Sequence, residues 1–373
     1  MPVYALSIHA DYKCRHSGAC CTADWDVPVE LPLYKSLDDA LTSSRLAPAG
    51  VADQHTTPLI VEDDLPDDAA AMVARTSTGD CVFYHRHSGL CVVHRDLGEA
   101  MLPATCRHFP RLAVRDARGT FISLTHYCPT AAASLFRDDL PVRIVESPPA
   151  FPEADYEGLV ITNDDWPPLL KPNVLADADS YGAWERHMVK RCADARLSPE
   201  RVVATLERDA RLVRAVSPVT GAAIAQAIAR LPDAGVPAPV PHSLDDSLAH
   251  LGDVAAAIPE EWRPQPDTRG LSESYAQFVR PEWHTWSLPL KRYLAAKAFA
   301  SWTAYQGNGF LTIVHGIDAA LALVRVEASR QCRDAARPLD ARLLQEAIRE
   351  ADFTLNHLAA GDELAERWSK VEA

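Results

Sequence analysis

The chain contains no run of 18 or more apolar residues, so no segment reads as a membrane-spanning helix. It opens Met-Pro-Val-Tyr-Ala-Leu-Ser-Ile-His-Ala, without the basic n-region and apolar h-region of a secretory signal. The expectation is a cytoplasmic protein, in a compartment that keeps thiols reduced. There is no G-x-G-x-x-G turn, which a conventional methyltransferase or dinucleotide-binding domain would carry after its first strand. The radical C-x3-C-x2-C spacing is missing, as are G-x4-G-K-[ST], H-E-x-x-H and G-x-S-x-G. Kinase, zincin and α/β-hydrolase readings therefore lose their usual support. Basic charge is also short: 37 Lys and Arg face 51 Asp and Glu, a net charge of −14. Nonspecific nucleic-acid binding needs a basic surface to release phosphate counterions, so no nucleic-acid partner is expected. No internal repeat of fixed period and no low-complexity tract occurs.

What the chain does have is cysteine, unevenly placed. Of nine cysteines in 373 residues, seven lie in the first 128: Cys14, Cys20, Cys21, Cys81, Cys91, Cys106 and Cys128. The reduced compartment and the odd count weigh against a disulfide framework. Thiolates drawn from several segments suit zinc or iron–sulfur ligation. Adjacent side chains at Cys20 and Cys21 are expected to diverge, so that one ligates while the other packs, or each serves its own centre. His16, His85, His87, His94, His108 and His126 lie near cysteines and are candidates to complete a site, or to stand as surface or outer groups. Arg107, His108 and Arg111 beside Cys106 read either as stabilisers of a thiolate or an anion, or as ordinary surface ion pairs. Cys192 and Cys332, each alone in a helical pattern, read as buried, inert residues.

The expected fold class is α-rich (α+β), in three stretches. Residues 1–145 look irregular, with short extended segments at Val27–Leu31, Thr120–Thr125 and Val142–Val145 and short helices over 36–48 and 67–76. So broken a region rarely builds a dense core alone, and a metal cross-linking its segments would supply the missing constraint. Residues 146–180 are rich in Pro and Asp and read as a linker. From Tyr181 onward the pattern is helical, about seven helices joined by short loops, which predicts an all-α domain over 181–373. Trp184, Met188 and Cys192 form one apolar stripe. Ser198-Pro199 and Ser217-Pro218 are helix-start signals. Ser243 with Asp246 is a carboxylate capping box. Ser287 opens a helix carrying Leu290, Leu294, Ala298 and Trp302, Phe310 begins another after Gly307-Asn-Gly309, and Asp340 starts the last. Trp262, Trp283, Trp286 and Trp302 are candidates for a peptide groove or for core packing.

The ordered cysteine pattern carries a resemblance. It runs C-x5-CC-x3-W, then C-x9-C, then Leu102-Pro-Ala-Thr-Cys106-Arg-His-Phe-Pro-Arg111, then Tyr127-Cys128-Pro129 followed by Thr-Ala-Ala-Ala133. This resembles the YkgJ-type cysteine-cluster family, also described as a zinc- or iron-chelating domain. Within that family it is most similar to flagellin lysine-N-methylases. The resemblance covers residues 12–135. It implies a metal centre, in the methylase branch an iron–sulfur cluster, with ligand roles for Cys14, Cys20 or Cys21, Cys81, Cys91, Cys106 and Cys128. Ser17 stands where the family pattern C-x2-C-G-x-CC has its second cysteine. The resemblance further implies S-adenosylmethionine as methyl donor and a protein substrate such as flagellin. Two other readings remain open: a non-enzymatic, zinc-stabilised interaction module, and a thiol redox sensor in which a close pair such as Cys20 and Cys21 oxidises reversibly.

Overall fold

The computed structural model describes all residues except 24, 52–56, 63–64, 67, 138–139, 153–167, 234–242, 266 and 371–373. It divides into two compact units: Met1–Tyr12, Leu112–Tyr127 and Ala131–Ala373 form one, Lys13–Arg111 and Cys128–Thr130 the other. Thirteen α-helices and several small sheets among the described residues make the chain α-rich α+β. No helix among them is long and apolar enough to cross a membrane.

The larger unit is built on a four-stranded sheet in the order Arg111–Asp116, Gly119–Leu124, Val3–Leu6, Ile144–Glu146. Val3–Leu6 runs parallel to Gly119–Leu124, with Val3 opposite Thr120, and antiparallel to Ile144–Glu146. This pairing explains why Met1–Tyr12 and Leu112–Tyr127 group with the helices rather than with the rest of residues 1–145. Every residue of Gly119–Leu124 is buried, as befits a central strand covered on both faces. Of the expected linker 146–180, residues 153–167 lie outside the described residues. Its end forms a hairpin, Leu169–Lys171 against Val174–Leu175, and Phe151 is fully buried.

From residue 178 onward the described residues contain helices and turns and no strand. The 26-residue helix Phe310–Ala335 is the centre, with eighteen buried residues. Helices Pro199–Arg214, Leu244–Ala256, Ser287–Ala298 and Ala341–Phe353 pack on it. Ser198 caps its helix through Arg201 N–H at 3.3 Å. The Ser243–Asp246 capping box is present in both directions, and Asp340 accepts from Leu343 N–H at 2.9 Å. Trp184, Met188 and Cys192 are buried together.

Several local expectations are corrected. Residues 67–76 hold a strand, Ala69–Val73, not a helix: it lies between Pro28–Glu30 and Leu59–Ile60 in an antiparallel sheet, and that pairing overrides the helical preference of its alanines. The helix after Ser217-Pro218 begins only at Gly221, capped by Thr220. The Ser287 helix ends at Ala298, because Phe299 is extended and Ala300 has φ +55°; Trp302 belongs to a separate 3₁₀ turn, Trp302–Tyr305. Leu271–Ser274 and Gly361–Ser369 are helices beyond the seven anticipated. The other three tryptophans have different surroundings: Trp262 is exposed, Trp283 donates to Glu200 at 2.7 Å, and Trp286 meets Phe136 edge-on.

The smaller unit has an apolar core of its own, which its broken sequence did not lead one to expect. Val27, Val29, Leu37, Leu46, Ala71, Val73, Val82, Phe83, Val92 and Val93 pack together, with Cys21 and Cys81 among them. Its elements are the three-stranded sheet, the helix Leu31–Thr42, the hairpin Tyr84–His85/Leu90–Cys91 and the short helices Val92–Leu97 and Ala104–His108.

Candidate metal centre

All seven N-terminal cysteines fall in the smaller unit, including Cys128, which joins it through the three-residue piece Cys128–Thr130. Each is a free thiol. Cys20 and Cys21 sit on a 3₁₀ turn, Ala19–Cys21, entered from Gly18 at φ +77°. Only glycine adopts that conformation without strain, and a β carbon there would fall 2.5 Å from the Tyr84 hydroxyl. On this turn the Sγ atoms of Cys20 and Cys21 lie 3.8 Å apart, so the two side chains converge rather than diverge.

Backbone pairing brings the next two thiols to the turn. Cys81 N–H donates to Cys21 C=O at 2.8 Å. Tyr84 pairs with Cys91 across the hairpin, whose turn closes through Gly89 N–H to His85 C=O at 2.9 Å. Cys91 then stands at the N-terminus of Val92–Leu97, where the backbone N–H groups of Val93 and His94 face its sulfur. Cys106 arrives on Ala104–His108, which is tied to the first strand of the sheet by Ala104 N–H donating to Glu30 at 2.8 Å.

The thiols perturb one another. Hydrogen bonding with the Cys21 thiol holds Cys20 and Cys91 below the ordinary thiol range, Cys91 down to about 7. Those same two contacts, with burial, push Cys21 upward. Burial raises Cys81 to about 11. Cys106 is raised by burial and then by Cys20, Cys81 and Cys91. The Arg75 guanidinium faces this group and pulls Cys20, Cys81 and Cys106 down. Its Nη2 donates to Trp25 C=O, while Nη1 is buried with no hydrogen-bond partner among the described residues.

Cys14 is more exposed. Its sulfur accepts from His16 N–H at 3.3 Å, and burial with Cys20 and Cys128 raises it, against a pull from Arg111. Arg111 also donates to Arg107 C=O at 2.9 Å. The His16 and His94 rings lie tilted to each other with centroids 5.1 Å apart, and His85 bonds Ser88 at 2.8 Å. His126 belongs to the larger unit. Cys192 and Cys332 are buried in the helical core. Among the described residues, no group of three or more His, Cys, Asp or Glu side chains is arranged as a ready-made metal set.

One polar cluster escaped the sequence reading. His9, Thr125, His126, Tyr293, Lys297, Asp352 and His357 meet inside the larger unit, although they come from four distant stretches of chain. Its nearest sequence signal is a set of polar residues flanked by apolar ones.

No family model, no curated protein and no solved structure matches the chain.

Proposed function

We propose that the smaller unit is a thiolate metal centre, binding zinc or an iron–sulfur cluster. The observation that carries this reading is the convergence of Cys20 and Cys21 Sγ at 3.8 Å, with Cys81, Cys91 and Cys106 near enough to shift one another's protonation. The donor chemistry fits: soft sulfur ligands suit both metals. Cys20, Cys21 and Cys91 would hold the group, completed by Cys81 or Cys106, with Cys14 and Cys128 at its edge. Arg75 supports the same reading, because its unpartnered Nη1 offers a fixed positive charge and a donor where thiolates would gather negative charge. Binding would displace the thiol protons and draw the last sulfurs in, so that site closure accompanies metal uptake. The absorption spectrum of anaerobically purified protein tests the choice of metal. Visible sulfur-to-iron bands favour the cluster, and colourless protein with stoichiometric zinc favours a structural zinc module.

The sharper proposal is a protein-lysine N-methylase acting in the cytoplasm on a protein such as flagellin, with S-adenosylmethionine as donor. It rests on the family resemblance of residues 12–135 alone. Incubating the protein with flagellin and labelled S-adenosylmethionine tests it: methyl-lysine supports the proposal, and its absence from metal-loaded protein removes it. A thiol redox sensor is the second reading. It is favoured by the close Cys20–Cys21 pair beside a Cys91 thiol lowered to about 7.

A further inference from the structure

The larger unit encloses a chain of three titratable groups that the metal reading does not use. His9 and His126 are 0 % and 1 % exposed, and Asp352 is 0 % exposed. His9 Nε2 lies 3.2 Å from His126 Nε2, and His126 Nδ1 lies 3.4 Å from Asp352 Oδ2. Asp352 is held further by Tyr293 Oη at 2.9 Å, by the Lys297 ammonium, by Thr125 Oγ1 at 3.3 Å and by the backbone N–H of His126. Thr125 Oγ1 also meets His357 Nε2 at 3.1 Å.

One tautomer arrangement matches these charges. His126 Nδ1 makes no hydrogen bond among the described residues, but Asp352 Oδ2 stands 3.4 Å from it; a proton held at Nδ1 by that carboxylate leaves His126 Nε2 as an acceptor. His9 must then donate from Nε2, and its Nδ1 carries the lone pair. That Nδ1 is buried with no hydrogen-bond partner among the described residues. A proton arriving at His9 would therefore land on an atom with nothing to receive its N–H. Among the described residues the counter-charge it would meet is Asp352, which reaches His9 only past His126 and is already paired with Lys297. An unpaired buried cation is costly.

We infer that His9 is an acid-sensitive latch, which holds the chain after strand Val3–Leu6 onto the helices bearing Tyr293, Lys297 and Asp352 only while its ring is neutral. Burial first, and then the neighbouring His126, lower its proton affinity in the folded state by more than Asp352 raises it, in keeping with this. The sign follows. Once unfolded, His9 takes up a proton below its ordinary value of about 6.5, while the folded ring stays neutral. Stability contributed by the latch is complete above about pH 7 and is lost as pH falls below about 6.5, by up to about tenfold in the folding equilibrium per pH unit.

The test compares urea unfolding of wild type and His9→Gln between pH 7.5 and 5.5; glutamine keeps a donor for His126 but cannot be protonated. The expected result is a wild-type midpoint that falls with acid and a His9→Gln midpoint that falls distinctly less. Equal falls would overturn the inference. Ring NMR of wild type decides the matter should the variant not fold. His9 should stay neutral until tertiary resonances are lost, and titration near pH 6.5 with those resonances intact would overturn it.

Discussion

The Sγ atoms of Cys20 and Cys21, neighbours in sequence, lie 3.8 Å apart on the 3₁₀ turn Ala19–Cys21. Two thiolates on one tetrahedral ion, with metal–sulfur bonds of about 2.3 Å, stand about 3.8 Å from each other. In metal-free protein the same spacing lets the pair share a proton, which is why their proton affinities move in opposite directions. Both behaviours depend on the turn, and the turn depends on Gly18.

Gly18→Ala is expected to reduce bound metal and to destabilise the smaller unit by about 1–3 kcal/mol, through the strained left-handed backbone and displacement of Tyr84. Metal per chain and a denaturation midpoint measure the two effects together.

Cysteines of the two units should respond differently. Cys91→Ser is expected to lower metal content severalfold. Cys192→Ser, in the helical core at 1 % exposure, should leave metal content unchanged and cost about 1–3 kcal/mol for its buried hydroxyl. Metal analysis beside chemical denaturation separates them.

In metal-free protein, alkylation by iodoacetamide should label Cys91 well before Cys81. The Cys91 rate should rise through about pH 7, whereas Cys81 should resist until the pH approaches about 11. Peptide mass spectrometry across pH reads both sites.

Glu327, buried on the central helix and paired with Arg330, has its carboxyl raised to about 7 by burial. A raised acid favours the folded state at low pH and loses that advantage as pH rises from about 4.5 through 7. Glu327→Gln should therefore gain stability relative to wild type at pH 8, by up to about 3 kcal/mol, and little at pH 5. Urea midpoints at the two pH values check the sign.

Helix starts were legible because their physics is local. Ser198, Ser243 and Asp340 bond to N–H groups three residues away, and a short window of sequence contains both partners. The strand Ala69–Val73 was not legible, because its conformation is decided by Pro28–Glu30 some forty residues upstream. The thiols lie between these cases. Their number and order could be read, but the convergence of Cys20 with Cys21 required the turn at Gly18. The approach of Cys91 required the hairpin. His9, His126 and Asp352 share no local pattern at all; only the pairing of Val3–Leu6 with Gly119–Leu124 and the packing of the helices bring them together.

The most direct measurement is metal and acid-labile sulfide per chain in anaerobically purified wild type and Cys106→Ser. Stoichiometric zinc, or iron with sulfide, in wild type and a marked loss in the variant is the predicted result. Wild type free of metal, with a variant that folds equally well, would contradict a thiolate metal centre in this protein.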